Sequence, residues 1–245
     1  MHGKKKIPLI LNCVFVLLFT AALQAQEMPE AEVYLQGSNK EILLFTFKQS
    51  EEHSGNERIW TQYYYQPDGT LFATDQLILD AKENWHTHKT AFPLLNEHSV
   101  MERKGNKVDF LFARDGKERT RTRNVETPIV FGPTQQRFLY QIKDRLLKGE
   151  VISLYTPAPE FTRLIEFRVQ RIYDSPYERP GAVVAEMSTQ NPIISWFLGK
   201  SHYVADIETG RILEIHGASI LKREVNGKWE YVNVEMYYTY PEQKK

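Results

Sequence analysis

The chain has 245 residues, with 31 Lys and Arg against 31 Asp and Glu, 42% hydrophobic residues and a 12% aromatic share that suits a wide β architecture. This charge balance gives no global attraction to nucleic acid, which is therefore not an expected partner. The one cysteine, Cys13, lies in an N-terminal apolar run, so disulfide staples, thiolate metal sites and a cysteine nucleophile drop out together.

Lys4, Lys5 and Lys6 precede an apolar run from Ile7 to Leu23, and small residues follow at Ala21, Ala22 and Ala25. A cationic start, a short apolar stretch and a small-residue exit form the pattern of a secretory signal peptide. Residues 1–25 are expected to be removed, with cleavage after Ala22 as the alternative. Residues 26–245 are then one β-rich domain, exported and soluble in the periplasm or outside the cell. The apolar run is short for a membrane-spanning helix of about 20 residues. Removal takes three of the 31 basic residues and no acidic one, leaving 28 against 31.

From residue 41 to 124 the chain reads as a meander of about seven short strands. Leu43, Phe45 and Phe47 alternate on one face of the first, and the polar stretch Gln49 to Asn56 reads as a loop. Ile59 to Tyr65 meets Pro67-Asp68-Gly69, a turn signal because proline presets φ and glycine supplies φ > 0. Leu71, Ala73, Leu77 and Leu79 line the return strand, and Gly105-Asn106 and Asp115-Gly116 join the later hairpins. His86 and His88 stand two apart on one strand, so strict alternation puts both imidazoles on one face, where they are candidate zinc ligands without a neighbouring third. The same pattern fits a solvated strand edge. Lys117, Arg119, Arg121 and Arg123 also alternate, and such a row suits a phosphate or lipid headgroup or a charged edge that blocks strand-to-strand aggregation.

Residues 134–148 are the one long helix expected in the exported chain. Phe138, Leu139, Ile142 and Leu146 fall at the spacing that gives a helix a single apolar stripe. Pro133 and Thr134 suit its start, the threonine as a side-chain cap, and Lys148 and Gly149 its end. Strands resume over 150–240. Ile165, Phe167 and Val169 face a core, Asn191 to Gly199 is the most hydrophobic patch, and Asn226-Gly227 is a strong hairpin turn. Val232, Val234, Met236, Tyr238 and Tyr240 share one face.

The fold class expected is mainly β, a curved antiparallel sheet or incomplete barrel with one central helix. The order Gly132-Pro133, a helix with Phe138, Gly149-Glu150, the Pro192-Ile193 apolar patch and Asp206 to Gly217-Ala218-Ser219 resembles exported, periplasmic β-rich bacterial proteins grouped as domains of unknown function. The resemblance covers roughly residues 40 to 222 and implies no activity and no active site. No nucleophile elbow, His-Glu-x-x-His motif or Gly-rich phosphate loop occurs. The expected function is a non-enzymatic envelope protein that holds an apolar or lipid-like ligand inside the curved sheet, with Trp196, Phe197, Phe138 and Ile142 as the ligand-facing candidates and no cofactor. The alternatives are a structural or assembly partner of another envelope protein, and a hydrolase with an unrecognised site.

Overall fold

The computed structural model describes residues 28–189, 191 and 199–241; the expected signal peptide, Trp196 and Phe197 lie outside them. The first half holds eight strands: β1 (Glu30–Leu35), β2 (Leu43–Ser54), β3 (Glu57–Tyr65), β4 (Leu71–Leu79), β5 (Trp85–Phe92), β6 (Glu97–Lys104), β7 (Lys107–Arg114) and β8 (Lys117–Asn124). The helix α1 (Gln135–Leu147) separates them from β9 (Ile152–Ala158), β10 (Arg163–Arg171), β11 (Ala182–Ser188), β12 (Ser201–Asp206), β13 (Ile212–Val225) and β14 (Lys228–Thr239). The fourteen described strands join one antiparallel sheet that runs from β8 down to β1, crosses to β14 and continues down to β9. The protein is thus mainly β, with β8 and β9 as the two ends.

The sheet is strongly curved. β6 and β13 are seven places apart in the order, roughly 34 Å in a flat sheet at about 4.8 Å per strand. Yet Glu97 on β6 and Lys222 on β13 touch at 2.9 Å. The concave face collects one apolar cluster, including Val33, Phe45, Phe72, Leu154, Phe167, Tyr203 and Val234, into which α1 lays Leu139, Ile142 and Leu146. A smaller cluster of Leu77, Leu79, Met101, Val108, Phe110 and Phe131 fills the end near β7.

Several local expectations change. β1 has no counterpart in the sequence reading, because its six residues are defined by pairing with β14 on one side and β2 on the other. Gln49 to Ser54 extends β2 instead of looping out. Its polar side chains find partners on the inner face, with Gln62 Nε2 donating to Gln49 Oε1 at 3.3 Å and Glu51 pairing with Arg58. The long strand β13 is not regular throughout, since its register against β14 shifts between Ala218 and Lys222. Thr134 does not cap α1. Its hydroxyl instead binds the backbone of Phe131, accepting from the N–H at 3.0 Å, and closes a 3-10 turn over Gly132–Thr134. The other end follows expectation: Gly149, at φ +78°, donates to Leu146 O at 2.9 Å and Glu150 N–H reaches Arg145 O at 3.0 Å.

Candidate functional site

The helix seals the concave face. Leu139, Ile142 and Leu146 are buried and Phe138 is half-buried against the same cluster, so two of the four ligand-facing candidates, Phe138 and Ile142, are packed among core side chains. Outside the stripe, α1 is held by side chains at its rim. Arg137 pairs with Glu83 at 2.5 Å, the Tyr240 hydroxyl donates to Gln136 Oε1 at 2.7 Å, and Lys143 Nζ donates to Glu208 O at 3.3 Å. Among the described residues, no backbone hydrogen bond joins α1 to a strand.

A polar row interrupts the apolar inner face. Gln62, Asp75, Thr90 and Ser99 are cross-strand neighbours on β3 to β6, all buried. His88 Nε2 pairs with Asp75 Oδ1 at 2.7 Å and Thr90 Oγ1 with Ser99 Oγ at 2.7 Å, whereas the buried Nδ1 of His88 has no hydrogen-bond partner among the described residues. The 3-10 turn after β8 presses on this row. A Cβ added at Gly132 would stand 2.4 Å from Asp75 Oδ2 and 2.7 Å from Gln62 Oε1, which accounts for the glycine.

His86 and His88 do not share a face. The register shifts between Ile78 and Leu79, which pair with Thr87 and Trp85, so one residue of β5 is extra and alternation breaks at His86. His86 is part-exposed beside Glu57 at 3.2 Å, whereas His88 is buried on Asp75. No group of three or more His, Cys, Asp or Glu able to hold a metal ion occurs among the described residues.

A second polar centre ties the two halves across the interior. Lys222 donates to both oxygens of Glu97, at 3.0 and 2.9 Å, and to Glu160 at 3.2 Å. Arg114 donates to Glu97 at 2.7 Å and also pairs with Glu160, to which the Tyr231 hydroxyl donates. Two carboxylates thus face two cations. Burial pushes the Glu160 carboxyl up, but Tyr231, Lys222 and Arg114 outweigh it and hold it below the ordinary value, while burial and then Glu160 push the Tyr231 hydroxyl up. The sequence carries no sign of this cluster, since its members lie on β6, β7, the turn after β9, β13 and β14.

The cation row lies at the open end of the sheet. Lys117, Arg119, Arg121 and Arg123 pair across from Arg114, Phe112, Phe110 and Val108. Phe112, Phe110 and Val108 are buried, so the row projects on the core-facing side of β8, where every residue of the strand is nevertheless exposed. The Arg119 guanidinium lies 5.4 Å from the Phe112 ring centroid. None of the four forms an ion pair among the described residues, whereas Arg58, Arg114, Arg137, Arg145 and Arg179 each hold a carboxylate.

Hollows occur on the described surface. One of about 540 Å³ is lined by Glu57, Asp80, Lys82 and His86, and one of about 390 Å³ by Leu35, Arg223, Tyr231 and Asn233. Neither touches α1 or β8. No described helix is long and apolar enough to cross a membrane.

No family model matches the chain, and no curated protein matches it. Among solved structures, the chain is similar to a β-barrel-like protein of domain of unknown function DUF1849 from Brucella abortus, at 8% identity and a TM-score of 0.48, over 88% of this chain and 98% of that one.

Proposed function

We propose that the protein is exported and acts in the cell envelope by binding, without catalysis, taking an apolar or lipid-like molecule between α1 and the concave face of the sheet. The observation that carries this reading is how the interior is closed. Strand pairing closes a full barrel and leaves no edge, whereas here an amphipathic helix covers the apolar cluster and is tied at its rim by side chains alone. An element held to the sheet through side chains can open without breaking a backbone ladder, a property that hydrogen exchange measures. Phe138 and Ile142 would then leave one another's neighbours for the ligand.

The test is native mass spectrometry of the protein purified from its own envelope, together with hydrogen exchange over residues 138–147. A bound apolar small molecule, and a helix that exchanges faster than β9 and β10 until ligand is added, support the reading. A protein free of adducts whose helix is as protected as those strands overturns it. Export is tested separately by sequencing the N-terminus of the cellular protein, expected at Gln26; a retained Lys4 to Leu23 would overturn that part.

A further inference from the structure

The free edge of β8 lies away from the helix-sealed interior, and what it offers is independent of any ligand held there. β8 closes one end of the sheet and pairs with β7 alone, so the backbone N–H and C=O groups on its other side have no strand to meet among the described residues. All eight of its residues are exposed. An edge of this length invites pairing by another strand. Its side chains restrict which one, because a strand added to an edge sets each of its side chains directly opposite one on the edge, with Cβ atoms about 5 Å apart.

A second copy of the same edge is a poor occupant. It would bring Lys and Arg against Lys and Arg, and like charges directly opposite destabilise a strand pair. A neutral strand would leave four adjacent cations unpaired. A strand with Asp or Glu at every second position meets all four at once on the core-facing side of β8, and Glu118, Thr120, Thr122 and Asn124 on the other side accept neutral polar neighbours. The near-neutral chain supplies no general field to attract anions, so the attraction belongs to this row.

We infer that β8 is a docking edge for an extended acidic segment of a partner protein, which joins the sheet as a fifteenth strand with carboxylates at alternate positions facing Lys117, Arg119, Arg121 and Arg123. Charge selects the partner, and the backbone ladder sets its register. The row that guards the edge against copies of itself is, on this reading, what makes it selective.

The experiment measures binding of an eight-residue Thr-Glu alternating peptide to the whole protein by fluorescence anisotropy, with hydrogen exchange of β8 as a second readout. Two comparison peptides have the same composition, one with its glutamates in adjacent pairs and one N-methylated at alternate residues to block the ladder. The alternating peptide should bind at least tenfold more tightly than either and should slow exchange of the β8 amides. The triple change Arg119→Gln, Arg121→Gln and Arg123→Gln should weaken it at least tenfold, with unchanged circular dichroism showing that the sheet persists. Equal affinity for all three peptides, or binding that leaves β8 exchange unchanged, would reduce the row to a simple anion attractor and overturn the proposal. So would vesicles containing phosphatidylglycerol that displace the alternating peptide and bind with the same loss in the triple variant, since the row would then be reading a headgroup.

Discussion

Lys222 Nζ lies 3.0 and 2.9 Å from the two carboxylate oxygens of Glu97, a contact between residues 125 positions apart whose side chains are 4% and 5% exposed. It fastens β13 to β6 across the interior and so holds the curvature of the sheet. Lys222→Met should cost about 3–5 kcal/mol, the range for leaving one member of a buried pair behind, towards the lower end because Arg114 still faces Glu97. Lys200→Met, which breaks a pair with Glu186 from a lysine side chain 57% exposed, should cost no more than about 1 kcal/mol. Denaturant unfolding of both variants measures the contrast, and equal losses would show that the buried pair holds nothing together.

Stability should fall at both ends of the pH scale. Burial raises Glu160 and Glu214, but Tyr231 and Lys222 around the first, and His216 and Arg179 around the second, outweigh it and leave both below 4.5. A carboxyl lowered on folding binds its proton more readily in the unfolded chain, so its contribution is complete above the unfolded value and is lost as pH falls below it. The tyrosines run the opposite way. Burial raises Tyr64, Tyr203 and Tyr238 above 10.0 and, with Glu235, takes Tyr237 to about 12. Their contribution is complete below pH 10 and is lost as pH rises beyond it. Melting temperature against pH should show a plateau with two falling sides, and a profile with no fall on the acid side would contradict the carboxylate assignments.

For the helix, Ile142→Ala should cost about 2–5 kcal/mol through lost transfer free energy and the cavity left behind. Gln141→Ala, one position round on the exposed face, should stay within about 0.5 kcal/mol. If the two variants unfold alike, the stripe is not what holds α1 down.

Gly132→Ala should cost about 1–3 kcal/mol, because its methyl group enters the space of Asp75 and Gln62. Gly149→Ala meets no atom within 4 Å and suffers only from φ +78°, so about 1 kcal/mol is expected. Hydrogen exchange separates the mechanisms. The first variant should loosen the inner faces of β3 and β4, the second only the last turn of α1. Loosening confined to the 3-10 turn in Gly132→Ala would show that the polar row does not bear on it.

Much of the fold was legible because its causes are local. Alternation in Leu43, Phe45 and Phe47 and the stripe of Leu139, Ile142 and Leu146 each follow from the period of the element. The turns follow from backbone stereochemistry, with Asp115 and Gly116 at φ 51° and 72° and Asn226 and Gly227 at 52° and 75°. The cation row on β8 could be read as a row for the same reason.

Whatever depends on a partner far along the chain was decided only by the tertiary structure. Glu30 to Leu35 is a strand because β14 and β2 flank it, and that junction turns two runs of hairpins into a single sheet. Gln49 to Ser54 looks like a loop by composition, yet Gln62 and Arg58 accommodate its polar inner face. A single extra residue in β5 sends His86 to Glu57 and leaves His88 with Asp75. The side of the sheet on which the four cations project followed only from the burial of Val108, Phe110 and Phe112 opposite them. Local sequence sets the period of each element, but register and curvature arise from contacts between strands, and those bring Glu97 and Lys222 together.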